Sequence, residues 1–264
     1  MGAALVLRVE RHVHVYRDLG AASRAVADEV VRRAAASVTE RGRFLFVISG
    51  GRTPVPLFRL LAGRRAREMP WANTEVFFAD ERCVPPDDPE SNFGSAWSRF
   101  LSKVPIGRSR IHRMRGELRP PSRGAADYSR RLGSLVRPAS ELADRFDLVL
   151  LGIGPDGHTA SLFPRAPALR ERRRPVVAVA HAGQPPFVPR LTLTYPALAS
   201  SREIMFLVSG RDKATAVRAT FRSSARGNST WPASRVRSNG PVRWFLDRDA
   251  ASSLPASIRT ERRR

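Results

Sequence analysis

Apolar residues fall along this chain in two alternating patterns. One is a short continuous run, as in Phe44-Leu45-Phe46-Val47-Ile48. A β-rich run without polar alternation fits a strand buried on both faces of a parallel sheet. The other is a longer segment with apolar residues every third or fourth position. Ala22, Val26, Val30 and Ala34 lie four apart, which predicts an amphipathic helix over 19–38. Gly42 follows where a C-terminal cap is expected. Val13 and Val15, flanking His14, suit a short strand. Further strands are predicted at 75–79, 146–153, 176–180, 191–194 and 203–208. Further helices are predicted at 55–62, 93–101, 125–142, 212–221 and 244–254, with a polar loop over 80–92. Strands alternating with helices indicate an α/β fold with a mostly parallel sheet. With no internal repeat or linker, residues 1–258 read as one domain, and 259–264 as a frayed basic tail.

Composition narrows this picture. Of 264 residues, 42% are hydrophobic, enough for a sizeable core. No apolar run approaches the roughly 20 residues that cross a bilayer. The first residues lack the apolar core of a signal peptide, which predicts a cytoplasmic protein without a membrane partner. The single cysteine, Cys83, excludes an intramolecular disulfide and a cysteine-rich zinc site. His12 and His14 share a strand face and could bind metal, but no matched ligand set accompanies them, so no metal is expected.

The net charge is +22, from 46 Lys and Arg against 24 Asp and Glu. Only Lys103 and Lys213 are lysines. Such an excess suggests an anionic partner or a solvated arginine surface. The basic residues are spread along the chain, the aromatics sit mostly in apolar strands, and no RNP, zinc-finger or KH pattern occurs. A specific nucleic-acid partner is therefore not expected.

Parallel sheets bind ligands beyond the carboxyl ends of their strands. The segments that follow the predicted strands are rich in polar groups: Ser49-Gly50-Gly51-Arg52-Thr53, Asp80-Glu81-Arg82, the loop holding Asp156, Gly157 and His158, and Ser209-Gly210-Arg211-Asp212-Lys213. Adjacent glycines before a helix let backbone N–H groups approach an anion. Neither a Walker loop nor a dinucleotide fingerprint is present, so a single phosphate is implied; an ordinary tight turn would look the same. His158 has the intrinsic pKa of a general base, and Asp156 could orient it or hold substrate. Lys213 stands out as a point charge one turn into a helix.

Together these segments resemble the 6-phosphogluconolactonase family. The resemblance rests on Ser49-Gly50-Gly51-Arg52-Thr53-Pro54, on Asp80-Glu81-Arg82-Cys83-Val84 with Ser91-Asn92, and above all on Gly157-His158-Thr159-Ala160-Ser161-Leu162-Phe163-Pro164. Arg190-Leu191-Thr192-Leu193-Thr194, Gly210-Arg211-Asp212-Lys213 and Trp244-Phe245-Leu246-Asp247 follow in the family's order. The resemblance implies a Rossmann-like sheet flanked by helices, akin to the glucosamine-6-phosphate deaminase superfamily. It implies hydrolysis of 6-phospho-D-glucono-1,5-lactone without a cofactor, a sugar-phosphate partner, and a monomer or small homo-oligomer. By that likeness His158 is the base for water, with Asp156 beside it. Ser49, Gly50, Gly51, Thr53, Arg190 and Lys213 would line the phosphate pocket, and Asp80 and Arg82 would face the sugar or the lactone carbonyl. Arg52 departs from the small residue usual in the glycine loop, and either faces solvent or adds charge there. The related deaminases carry a glutamate where this chain has Phe163, which weighs against ring-opening chemistry.

Overall fold

The computed structural model describes residues 11–135, 146–224, 230–258 and 260–261. Its strands are β1 (Arg11–Tyr16), β2 (Phe44–Ile48), β3 (Thr74–Phe78), β4 (Asp80–Arg82), β5 (Ile111–His112), β6 (Leu148–Leu151), β7 (Val176–Val179), β8 (Arg190–Leu193), β9 (Ile204–Val208), β10 (Val242–Asp247) and β11 (Thr260–Glu261). Its helices are α1 (Leu19–Arg41), α2 (Val55–Ala62), α3 (Asn92–Arg99), α4 (Pro121–Leu135), α5 (Tyr195–Ala199) and α6 (Ala214–Ser224).

Among the described residues, eight strands form one sheet in the order β11-β1-β10-β9-β6-β2-β3-β5. Every pairing in it is parallel. All five residues of β2 are buried, as their unbroken apolar run requires. α1 packs on β2, β9 and β10 through the stripe of Ala22, Val26, Val30 and Ala34, each fully buried. Its N-terminus is capped by Asp18, which accepts from the Ala21 N–H at 2.7 Å. Gly42, at φ 72°, closes the other end by donating to the Val38 carbonyl.

The fold is the expected α/β sheet, with several differences. The segment expected to be the last helix, 244–254, begins instead as β10, between β1 and β9. Trp244, Phe245, Leu246 and Asp247 are all buried there, and Trp244 stacks on Phe206 at 3.9 Å between ring centroids. A run buried on both faces suits a central strand better than a helix exposing one side. The supposed polar loop after β3 contains β4, and β7 and β8 leave the parallel sheet to join it in a small antiparallel sheet, β4-β8-β7. Lys213 lies in a single 3₁₀ turn before α6 rather than inside a helix. Thr260 and Glu261, expected to fray, pair with His14 and Val15 of β1. α4 begins four residues before its expected start, and the expected helical stretch 136–142 lies outside the described residues.

The core sets a plain stability expectation. Phe46 is fully buried and stacks against Phe44 at 5.5 Å, whereas Phe187 is 73% exposed. Phe46→Ala should cost about 3–5 kcal/mol in urea unfolding, and Phe187→Ala should stay within about 0.5 kcal/mol of the parent. Equal losses at the two positions would contradict the placement of the core.

Candidate active site

β2 and β6 are neighbours at the middle of the sheet, with Phe46 opposite Leu148 and Val47 opposite Val149. From β2 the chain moves to β3 and β5 on one side; from β6 it moves to β9 and β10 on the other. The loops leaving β2 and β6 therefore separate at a topological switch point, where open sheets form a crevice. A cavity of about 490 Å³ lies there, of a size that holds a small metabolite.

On one wall are Gly50, Gly51 and Thr53 of the loop entering α2. Gly50 is required by close approach, because a Cβ there would overlap the side-chain amide of Asn92. Ser49, expected in the phosphate pocket, is not on the cavity wall. It is buried, and its hydroxyl donates to the Leu150 carbonyl at 2.8 Å, tying the end of β2 to β6. Arg52 is exposed at the cavity mouth.

The opposite wall carries His158. Its loop is folded back by Thr159, whose hydroxyl donates to the Gly152 carbonyl at 2.8 Å, and by the Gly154 N–H, which donates to the His158 carbonyl at 2.9 Å. Gly157, at φ 79°, lets the chain turn where a side chain would strike Trp231. His158 Nδ1 lies 2.6 Å from Asp156 Oδ1. Burial opposes ionisation of Asp156, but its hydrogen bonds to the His158 ring and backbone prevail and hold its carboxyl below the usual range. An ionised Asp156 can only accept, so Nδ1 carries a proton, and in the neutral ring Nε2 then keeps its lone pair. Asp156 itself stands behind the histidine rather than on the cavity wall. Phe163 packs 4.7 Å from the His158 ring, so an apolar face stands where a glutamate would bring a second carboxylate.

Asp80, Arg82, Arg190 and Lys213 also line the cavity. The small sheet places Arg82 directly opposite Arg190. Asp80 is buried and fixed on both oxygens: Ser161 donates to Oδ2 at 2.7 Å and Asn92 Nδ2 to Oδ1 at 3.2 Å. Arg82 donates to the Glu90 carbonyl. Arg190 is 4% exposed, and burial pulls its pKa down. Its Nε and one terminal nitrogen hold the carbonyls of Val188, Pro186 and Gln184, so it fastens the rim loop as well as facing the cavity. Lys213 Nζ pairs with Asp212 at 2.9 Å. The turn bearing both is held by Asp247, which accepts from Ser209 Oγ at 2.5 Å and the Gly210 N–H at 3.2 Å.

Two residues without an expected role shape this site. Asn92 lines the cavity and also donates to the Asp80 carbonyl at 2.9 Å. Glu81 is 2% exposed and accepts from the N–H groups of Arg82, Asn92 and Phe93, each at 2.7 Å, and from Ser91 Oγ at 3.2 Å. It thus docks the N-terminus of α3 onto β4. Ser91-Asn92 ahead of a helical stretch was the available signal, as a helix start; its long-range carboxylate partner leaves no local mark. Cys83 is buried, which pushes its thiol up to about 11 and keeps it an unreactive thiol. Among the described residues, no group of three or more His, Cys, Asp or Glu is placed to hold a metal ion. No helix among them is long and apolar enough to cross a membrane.

Burial raises the Glu81 carboxyl from 4.5 to about 7. Between those values the folded protein holds a proton that the unfolded chain has lost, so this group's contribution to stability falls as pH rises. Urea midpoints for the parent should therefore decline relative to Glu81→Gln as pH rises from 4.5 to about 7. A constant difference between the two would show that Glu81 does not titrate there.

A family model described as glucosamine-6-phosphate isomerases/6-phosphogluconolactonase matches residues 17–244. A curated 6-phosphogluconolactonase of Streptomyces coelicolor is 36% identical over 250 residues, covering 92% of this chain and 95% of that one. The crystal structure of 6-phosphogluconolactonase from Thermotoga maritima superposes with a TM-score of 0.79 at 28% identity, covering 90% of this chain and all of that one. A monomeric glucosamine-6-phosphate deaminase of the NagB superfamily shares the fold, with a TM-score of 0.74 at 24% identity over 92% of this chain and 99% of its own. A match spanning most of the chain and both loops at the switch point settles the kinship: the chain belongs to the glucosamine-6-phosphate isomerase/6-phosphogluconolactonase family.

Proposed function

We propose that this chain hydrolyses 6-phospho-D-glucono-1,5-lactone to 6-phospho-D-gluconate in the oxidative pentose phosphate pathway. The observation that carries this reading is the His158–Asp156 pair facing a glycine loop and a lysine turn across one cavity. Curated relatives such as the Streptomyces coelicolor protein bear the 6-phosphogluconolactonase name over most of this chain's length. The phosphate would lie against the N–H groups of Gly50 and Gly51, the Thr53 hydroxyl and Lys213, with Arg52 adding charge at the mouth. Ser49 acts by holding that loop to β6.

The chemistry follows from the tautomer. Water bound to His158 Nε2 attacks C1 of the lactone and gives its proton to Nε2, while Asp156 stabilises the imidazolium that forms. Charge gathers on the carbonyl oxygen, where Arg82 or Arg190 is the donor nearest in type. The C1–O5 bond then breaks, and the proton returns from Nε2 to O5, leaving the carboxylic acid, which ionises in water. No covalent enzyme intermediate is needed, because the ester is already labile and the phosphate anchor supplies orientation. Asp80, held by Ser161 and Asn92, faces a sugar hydroxyl. The deaminase reading is disfavoured by Phe163, which offers no proton carrier beside His158. A sugar-phosphate partner, a cytoplasmic location and a monomer or small homo-oligomer complete the proposal.

A coupled assay on freshly made lactone, corrected for spontaneous hydrolysis, tests it. His158→Ala should lower kcat by about 10²–10⁴-fold while still binding 6-phosphogluconate. Lys213→Ala should mainly raise KM, by about tenfold or more. Near-normal turnover in the histidine variant would overturn the mechanism. Ammonia release from glucosamine 6-phosphate without lactone turnover would overturn the function.

A further inference from the structure

A second concavity of about 450 Å³ lies between α3, β5 and α4, lined by residues separate from those of the active site. Two half-buried aromatic rings of α3, Phe93 and Trp97, form its floor, with centroids 6.1 Å apart and 27° between planes. The Arg108 guanidinium lies 5.1 Å over the Trp97 ring. Among the described residues no carboxylate comes within ion-pair distance of Arg108. Arg131 spends its Nε on His112 Nδ1 at 2.7 Å and likewise has no described carboxylate partner. Arg115 has only distant ones, Glu117 at 3.7 Å and Asp127 at 3.9 Å. Arg113, by contrast, is held bidentately by Glu117 and serves as wall.

Arginines without an acid are common on this surface: Arg174 reaches Glu171, but exposed Arg64 and Arg218 have no described carboxylate within ion-pair distance. What sets this groove apart is its aromatic floor. Here three guanidinium groups with spare N–H donors meet two aromatic rings and one lining acid, Asp127. A guanidinium resting on an indole offers its outer face to another planar group, as arginine does to nucleobases. The free forks of the other two suit phosphate oxygens. We propose that this groove binds a nucleoside phosphate, its base stacked on the Trp97–Arg108 pile and its phosphates held by Arg115 and Arg131. The volume suits one nucleotide.

The test is titration of the full chain with ATP, adenosine and inorganic tripolyphosphate at about 0.15 M salt, read by calorimetry and tryptophan fluorescence. ATP should bind and quench fluorescence, and adenosine and tripolyphosphate should each bind at least about tenfold more weakly. Trp97→Ala, and separately the double variant Arg115→Gln with Arg131→Gln, should weaken ATP by about tenfold. Trp97→Phe should retain most of the affinity. Lactone turnover without nucleotide should be unchanged in all of these variants, which also reports that they fold. Tripolyphosphate binding as tightly as ATP, or ATP affinity indifferent to Trp97→Ala, would reduce the groove to general charge attraction and overturn the proposal. So would absence of ATP binding, a single-stranded oligonucleotide bound more tightly than ATP and lost in the same variants, or concentration-dependent dimerisation abolished by Trp97→Ala.

Discussion

The hydrogen bond from Ser49 Oγ to the Leu150 carbonyl joins two strands at the point where their loops part company. Everything in the active-site cavity hangs from that seam. On one side the chain runs from β2 through the glycine loop into α2; on the other it leaves β6 for the His158 loop. The two strands beneath are buried throughout, so the loops stand on close-packed core. That arrangement positions His158 and the glycine loop without requiring either loop to be stiff over its whole length.

Around the seam the polar side chains are organised chiefly by carboxyl groups that stand off the cavity wall. Glu81 fixes the start of α3 and with it Asn92, and Asn92 with Ser161 fixes Asp80. Asp247 fixes the turn that carries Lys213, and Asp156 fixes the histidine tautomer. Each of these acids takes hydrogen bonds from groups that burial would otherwise leave unsatisfied. Several of the groups lining the cavity thus inherit their orientation from a carboxyl group set behind them.

Local signals carried most of the architecture. The all-apolar β2, the four-residue spacing in α1 and the glycine at its end were legible because burial and capping act over a few residues. Trp244 to Asp247 misled because a run buried on both faces has no period, and only pairing between β1 and β9 decides that it is a strand. The small sheet was likewise hidden: Arg82 and Arg190 are far apart in the chain and meet only through β4 and β8. Among site residues, His158, the glycines and Lys213 announce themselves by chemical type and by following strands. Ser49 looked like a ligand and makes a tie to β6, and Asn92, expected only as the end of a polar loop, lines the cavity. Hydroxyls and amides serve both purposes, and their partners decide which.

The neighbourhood of β2 and β6 has a further consequence for how a substrate would be chosen. Adjacent strands in a sheet stand about 4.8 Å apart, and that spacing is set by backbone hydrogen bonds that no side-chain change can stretch. If the glycine loop rooted on one strand holds the phosphate and His158 on the loop after the next is the base, as proposed, the cavity becomes a ruler. A molecule engages both ends only if its charged terminus and its reactive carbon are separated by the length the sheet dictates. Discrimination among sugar phosphates of different chain length would then be a property of the backbone, inherited with the fold. Side chains would be left to distinguish only among molecules that already fit the measure.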